Sequence, residues 1–175
     1  MKRIILIIII ITVSSLAIIL ILGIEGKLKE QKITSERIKH LPVFSMVATD
    51  NNPFSTDVIE EGPLLLIYYH PDCEHCRHEL TELFNSSFFE SDIKLMLVSN
   101  APRDTVISFL GGFKQYDNER CIILFDTAYL FEDLFGTPVI PSAFLYNGNL
   151  DLIESYSGEY KIETILNSFR QSEQN

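Results

Sequence analysis

Two cysteines separated by two residues are the most reactive feature of the chain. Cys73 and Cys76 lie in the stretch "YYHPDCEHCRHEL", which also contains three histidines and two glutamates. A cysteine thiolate attacks disulfides, and a second thiol nearby resolves the mixed disulfide that forms. Cysteine and histidine together are also ligands for zinc and copper. The residue types therefore allow either a redox couple or a metal site.

The surrounding pattern places the cysteine pair at a strand-to-helix corner. The apolar run "LLLIYYH" (64–70) predicts a strand buried on both faces, and Pro71 with Asp72 ends it. A helical pattern then begins at Cys73. Unsatisfied N–H groups and the helix dipole stabilise a thiolate at a helix N-terminus, which is the place we expect for Cys73. Cys76 should lie one turn further along the same face.

Three charged residues around the pair could tune its chemistry. A protonated His75 would favour the Cys73 thiolate and make the disulfide easier to reduce, whereas Glu74 would act in the opposite direction. Glu79 lies one turn after Cys76, and its carboxylate could accept the Cys76 proton. Glu79 could instead be a surface charge paired with His75, four residues away. For Glu74 and His78, which have the same spacing, we favour such a surface pair.

Strand and helix patterns alternate through most of the chain. An opening hairpin should turn at 50–53, further strands are predicted at 93–99 and 121–125, and Asn147-Gly148 predicts a late hairpin. Helical patterns follow Cys73, open at Pro102, cover 128–135 and close the chain with apolar residues on one face. This order predicts an α/β fold with a central mixed sheet flanked by helices.

The amino terminus has the composition of a membrane anchor. From Ile4 to Ile24 there is no charged residue, and a helix of this length spans about 30 Å, the thickness of a bilayer core. We expect an anchor at 1–24, a charged linker at 25–39 and a folded domain at 40–175. Lys2 and Arg3 precede the span and favour a single-pass protein of the cytoplasmic membrane whose domain faces the periplasm or extracytoplasmic side.

The charge of the chain argues against nucleic-acid binding. Its formal net charge is −10, and most of the acidic residues follow the linker. Such a domain repels phosphate backbones. The chain has three cysteines, too few for a fold held by disulfides, so its core must come from apolar packing.

The chain resembles the thioredoxin-like superfamily, in particular its TlpA-type membrane-anchored thiol–disulfide oxidoreductases with a redoxin domain. The resemblance rests on the anchor, "LPVF" before the opening hairpin, "LLLIYYHPDCEHCRHE" and "VIPSAFLYNG". It implies a thioredoxin-like fold in which Cys73 is the nucleophile, Cys76 resolves and Glu79 assists proton transfer. It also implies a cis bond between Ile140 and Pro141 at the substrate-binding edge. Pro138 is the competing candidate for this position.

The same resemblance implies how the protein works. No cofactor is needed beyond a redox-active Cys73–Cys76 disulfide. The partners are client proteins with dithiols or disulfides and an electron donor in the membrane or periplasm, and reduction of clients is the expected direction. The chain departs from the family at Asp72, where Trp is usual, at His75, where Pro is usual, and after Glu79, where a proline is common. Thiol exchange is still possible with these changes, but the sequence does not determine the redox potential.

Other functions fit the residues less well. A copper chaperone of the same fold could use His70, Cys73 and Cys76 with His75 or His78, but copper binders of this family space the cysteines three apart. They also place a histidine far downstream, and no histidine follows His78. A peroxidase of the peroxiredoxin type would need a Thr that "YYHPDC" lacks, and a redox-inactive binding domain would not need both thiols. Cys121 begins an apolar strand and is interpreted as a structural thiol.

Overall fold

The computed structural model describes residues 2–117, 119–136 and 139–174. The chain divides into two compact units, Met1–Glu36 and Arg37–Asn175.

The first unit consists of one long helix. Helix α1 runs from Lys2 to Arg37, so it continues from the apolar segment through most of the stretch predicted as a charged linker. Within the described residues, α1 is the one helix long and apolar enough to cross a membrane, and its qualifying segment is Ile11–Arg37. This agrees with the expected anchor in length and composition.

The second unit is built on a sheet of seven strands within the described residues. The strand order is β2-β1-β5-β4-β3-β6-β7. Strands β3, β4 and β5 are parallel neighbours, whereas the other pairs are antiparallel. The predicted mixed sheet with an opening hairpin is confirmed. The strands are β1 (Ser45–Ala48), β2 (Pro53–Ser55), β3 (Leu64–Tyr68), β4 (Lys94–Ser99), β5 (Cys121–Phe125), β6 (Ser142–Tyr146) and β7 (Leu152–Ser157).

Helices follow the strands as the sequence pattern predicts. They are α2 (Glu74–Asn85), α3 (Arg103–Leu110), α4 (Leu130–Phe135) and α5 (Ile162–Ser172), with short 3₁₀ turns at Thr56–Val58, Ser87–Glu90 and Lys114–Asp117. Gly136 ends α4 in the left-handed conformation, with a φ of 65°, which glycine adopts without steric cost.

Strand β3 lies at the centre of the sheet and is buried on both faces, as its continuous apolar run predicts. Leu65 and Ile67 belong to a core cluster with residues of α2, α3 and α5. Leu64 and Leu66 belong to a second cluster that includes residues of α4. Because side chains alternate along a strand, the two clusters lie on opposite faces. Burial on both faces fixes the carboxyl end of β3, where the cysteine corner begins.

The late hairpin is present, but its loop is longer than the two residues that Asn147-Gly148 predicts. The Asn147 side chain accepts hydrogen bonds from the N–H groups of Asn149 and Asp151, at 2.9 Å each. Leu150, rather than Gly148, has the positive φ of 62°. The asparagine therefore organises the turn through its side-chain oxygen, a role that the dipeptide signal does not specify.

Candidate active site

Cys73 occupies the N-cap of α2. Its backbone is extended, and its Sγ accepts a hydrogen bond from the N–H of Cys76 across 3.3 Å. Its own N–H donates to the carbonyl of His70 at 3.0 Å, which fixes the corner after β3. The side chain is half-buried, so a reagent can reach the sulfur. The predicted position of Cys73 at the helix N-terminus is confirmed.

Cys76 lies one turn further along α2 and is fully buried. Burial and, to a smaller extent, the hydrogen-bond interaction with Cys73 raise the pKa of the Cys76 thiol to about 12. Contact with the backbone of His70 acts in the opposite direction. Cys76 is therefore a neutral thiol near pH 7, and the pair combines one accessible sulfur with one hidden sulfur.

Glu79 lies in the protein interior, with 5% of its surface exposed. Its Oε1 accepts a hydrogen bond from the backbone N–H of Tyr160 at 3.3 Å. Burial raises the pKa of Glu79, although the bond from Tyr160 and the nearby His78 oppose this. The interpretation of Glu79 as a surface charge paired with His75 is wrong, because the α2 face that carries Glu79 packs inward. A buried carboxyl with a raised pKa near a buried thiol has the properties of a proton acceptor.

The Nδ1 of His75 instead lies against the carboxylate of Glu159, in the loop between β7 and α5. About two thirds of each side chain is exposed, so the pair lies at the rim of the site. Glu74 and His78 are also exposed. The structure therefore places both proposed redox-tuning residues, Glu74 and His75, on the solvent side of the cysteine corner. Their effect on the potential remains a prediction.

The segment before β6 approaches the cysteine corner. The Ile140–Pro141 peptide bond is cis, as the resemblance implies. The Sγ of Cys73 lies 4.0 Å from the carbonyl oxygen of Ile140, the outer limit for a bond to sulfur. Pro141 is buried, Ile140 is half-buried and Val139 is exposed, so the rim beside Cys73 is apolar. The competing Pro138 lies outside the described residues.

A metal-binding arrangement is not assembled in the described part of the chain. Across residues 2–117, 119–136 and 139–174, no three His, Cys, Asp or Glu side chains group in a way that could hold a metal ion. The Nδ1 of His70 accepts a hydrogen bond from the N–H of Asp72 at 3.1 Å and is engaged in its own loop. The donor set suggested for a copper chaperone therefore does not converge.

Cys121 lies apart from the cysteine corner, at the start of β5. It is half-buried and lines a cleft of about 570 Å³ together with Arg103, Ile107 and Tyr116. Burial raises the pKa of the Cys121 thiol to about 12. A neutral thiol of this kind has the properties of a structural cysteine, in line with the sequence interpretation.

The sequence pattern does not single out three residues near the site. The pattern places Tyr69 only in an apolar strand, and Glu159 and Tyr160 lie in the connection "SGEYK", which carries no recognisable motif. A signal for Tyr69 does exist, because a tyrosine at the end of a doubly buried strand brings a hydroxyl into the interior. No local signal identifies Glu159 or Tyr160, since their contacts join positions some 80 residues apart.

Comparison with solved structures gives the architecture a context. A secreted disulfide oxidoreductase from Mycobacterium tuberculosis aligns with a TM-score of 0.60 and 16% identity, over 76% of this chain and 96% of that one. The chain has a thioredoxin-like fold. An exposed lipoprotein thioredoxin from Streptococcus pneumoniae aligns with a TM-score of 0.59 and 13% identity, over 74% of this chain and 98% of the lipoprotein chain.

The thioredoxin-like fold also covers proteins of different chemistry. The peroxidoxin BcpB of Mycobacterium tuberculosis aligns with a TM-score of 0.62 and 16% identity, over 75% of this chain and 94% of that one. No model of a known protein family matches the chain, and no curated protein sequence matches it. At these identities the likeness establishes the fold, and function has to be argued from the site.

Proposed function

We propose that the chain is a thiol–disulfide oxidoreductase that reduces disulfides of extracytoplasmic proteins through Cys73 and Cys76. The observation that carries this proposal is the hydrogen bond from the Cys76 N–H to the Cys73 sulfur at the N-cap of α2. A sulfur that accepts a backbone N–H bond at a helix N-terminus is stabilised as a thiolate. Because this sulfur is also accessible, it can attack a disulfide in a client protein.

The proposed reaction has two steps. The Cys73 thiolate attacks the client disulfide, so that one client sulfur leaves as a thiolate and the other is joined to Cys73. Cys76 then loses its proton to Glu79 and attacks the Cys73 sulfur. The Cys73–Cys76 disulfide forms, the bond between Cys73 and the client breaks, and the second client thiolate departs. Two electrons pass from the dithiol to the client.

Glu79 is assigned the proton-accepting role because the second step requires a base inside the protein. Cys76 is fully buried, so bulk water does not reach its sulfur. Glu79 lies three residues further along the same helix and lines an open cleft with His78, Glu159 and Tyr160. This cleft gives the carboxyl a route by which to return its proton to solvent.

Ile140 and Pro141 are proposed to border the bound client. The Ile140 carbonyl lies against the Cys73 sulfur, and the exposed Val139 extends this rim outward. A client segment lying here would bring its disulfide close to Cys73.

The cellular setting is proposed from the apolar part of α1. We infer that it anchors the chain in the cytoplasmic membrane as a single span, with the thioredoxin-like domain on the periplasmic or extracytoplasmic side. The anchor and the CEHC dithiol together support a TlpA-type protein, recharged by an electron donor in the membrane or periplasm. Redox exchange there runs between protein thiols and needs no bound cofactor.

Trapping of the intermediate tests this proposal. Replacing Cys76 with Ser removes the resolving thiol and should leave clients joined to Cys73, visible as mixed disulfides on non-reducing gels after acid quenching. The matched control Cys73→Ser retains the buried thiol and should trap nothing. If Cys76→Ser and Cys73→Ser chains gave the same absence of mixed disulfides, the assignment of Cys73 as nucleophile would be wrong.

A further inference from the structure

The connection between β7 and α5 contacts the surroundings of the two cysteines from the side. Residues 158–161 of this connection belong to no strand or helix. The N–H of Gly158 donates to the carbonyl of Pro141 at 2.9 Å, at the edge proposed to border the client. The Glu159 carboxylate lies against the Nδ1 of His75, at the start of α2. Two consecutive residues of the connection therefore reach two different parts of the site.

The next residue of the connection reaches the proposed proton acceptor. The N–H of Tyr160 donates to Oε1 of Glu79 at 3.3 Å, and this bond leaves Oε2 of the carboxyl group to take a proton. A catalytic base has to be oriented as well as within reach, and a small displacement of a reacting group costs rate. The Tyr160 N–H holds the carboxyl group in one orientation, so whatever places this N–H acts on the resolving step.

The Tyr160 N–H belongs to the peptide unit that joins Glu159 to Tyr160. This unit is planar, so the direction of its N–H is set by the backbone torsions on its two sides. On one side, the Tyr160 side chain is buried in the core, which fixes that residue. On the other side, the Glu159 side chain is about two thirds exposed and follows Gly158, whose φ of 82° lies in the region that glycine adopts freely. The contact with His75 therefore restrains the side of the peptide unit that core packing does not.

The chemistry of this contact allows it to be removed separately from the charge. An Nδ1 that carries a proton, in the neutral ring or in the imidazolium, donates to a carboxylate or to an amide oxygen. Glu159→Gln keeps an oxygen that can accept this bond, whereas Glu159→Ala removes it. Burial is the main cause that raises the pKa of Glu79, and the charge of Glu159 adds to it. Both variants remove this charge equally, so the difference between them isolates the contact.

We propose that Glu159 is a positioning residue: its contact with His75 keeps the N–H of the following residue on the carboxyl group of Glu79 during the resolving step. This inference rests on the proposed function and deepens it. In that step the Cys76 proton passes to Glu79 and the Cys73–Cys76 bond forms. The bond between Cys73 and the client breaks, and the client sulfur leaves with the electron pair. Glu159 touches none of the reacting atoms and acts through the orientation of the base.

A single-turnover reaction of the full chain in detergent separates the two chemical steps. The reduced protein is mixed with less than one equivalent of an aromatic disulfide reagent whose released thiolate is coloured. The first release reports attack by Cys73, and the second reports resolution by Cys76. The variants are Glu159→Ala and Glu159→Gln. Glu163→Ala is the matched control, because Glu163 lines the same cleft.

The second release should be slower by about fivefold in Glu159→Ala than in Glu159→Gln, the size of effect that a partly exposed contact supports. The first release should be the same in these two variants, because both lack the carboxylate. Glu163→Ala should give both releases at the rates of the unmodified chain. Equal second releases in the two Glu159 variants, or slowing of both releases by the same factor in Glu159→Ala, overturns the positioning role.

The same comparison in chains that also carry Glu79→Gln shows whether the effect passes through Glu79. These chains have no base to orient, so Glu159→Ala and Glu159→Gln should then give the same second release. A fivefold difference that persists without the Glu79 carboxyl group would show that Glu159 supports packing alone, and the proposal would be wrong. A missing second release in the unmodified chain would instead refute the proposed function itself.

Discussion

The backbone N–H of Cys76 donates a hydrogen bond to the sulfur of Cys73 across 3.3 Å, and the two thiols nevertheless lie in different environments. Cys73 is half-buried at the start of α2, whereas Cys76 is fully buried beneath it. One sulfur can meet a client and the other can meet only the first sulfur. This asymmetry is what an ordered two-step exchange requires, and the predictions below depend on it.

Glu79→Gln tests the role of Glu79 as the proton acceptor of the resolving step. Without the carboxylate, the resolving step should slow by about 100-fold, within the range of general base catalysis, while attack by Cys73 stays unchanged. Glutamine retains an oxygen that can accept the bond from the Tyr160 N–H. Acid-quenched time courses of the mixed disulfide measure both steps, and equal rates of resolution in the two chains would contradict the role of Glu79.

The same substitution predicts a pH dependence of stability. Burial raises the pKa of Glu79 in the folded chain above its unfolded value of about 4.3. Below that value the carboxyl is protonated in both states, and as the pH rises through the folded pKa its ionisation increasingly disfavours the folded state. Glu79→Gln should therefore increase the free energy of unfolding by more at pH 7 than at pH 4. Urea titrations at the two pH values measure this, and an increase confined to pH 4 would contradict the sign.

Glu159→Gln tests the charge balance at the rim of the site. Removing the Glu159 carboxylate takes a negative charge away from the rim that carries His75, so the Cys73 thiolate, and with it the reduced form, should become more stable. We expect the potential to rise by about 10–20 mV, equivalent to less than about 1 kcal/mol. Glu163→Gln is the matched control, because Glu163 lies on the same cleft. A lower potential in Glu159→Gln, or an equal shift in both variants, would contradict the assignment.

Cys121 should take no part in the exchange. Its pKa is raised to about 12 by burial, so very little thiolate is present at pH 7. Limited alkylation of the reduced chain followed by peptide mapping should label Cys73 first and Cys121 far more slowly. Cys121→Ser should reduce disulfides at the rate of the unmodified chain. Loss of activity in this variant with normal folding would show that the third thiol participates.

The apolar part of α1 should hold the chain in the membrane. Arginine at the centre of a span costs about 2.5–3.5 kcal/mol, so Leu16→Arg should disfavour insertion by about this amount, and Leu20→Arg, nearer the end of the segment, should add a smaller cost. The unmodified chain and the control with isoleucine at both positions should remain with membranes after an alkaline wash. Release of all three chains alike would argue against a spanning helix.

Much of the fold could be predicted because its signals are local. The continuous apolar run of β3 specified a central strand, and the Pro102 start of α3 specified a helix boundary. The cis bond before Pro141 followed from the resemblance alone. The extension of α1 to Arg37 was not predicted, because charged residues suit a solvated helix as well as a linker.

The active site was predictable to a smaller extent. The types and spacing of Cys73, Cys76 and Glu79 specify which groups lie on one face of a helix, but not how deeply that face is buried. Burial of Glu79 depends on the loop that carries Tyr160, whose backbone N–H bonds the carboxylate from a position 81 residues further along the chain. The contact between His75 and Glu159 is also a tertiary contact between residues far apart in the sequence. Contacts between distant segments have no periodic pattern in the sequence from which they could be predicted.

A thiol-trapping titration of the full chain tests the central claim most directly. The protein is equilibrated in glutathione and dithiothreitol buffers after removal of metal, quenched with acid, alkylated and mapped. A redox couple of Cys73 and Cys76 predicts one reversible transition in which these two thiols disappear together and Cys121 stays reduced. A potential well below that of the glutathione pool would support a reductase. If no Cys73–Cys76 disulfide forms under any buffer, the account of the protein as a thiol–disulfide oxidoreductase is contradicted.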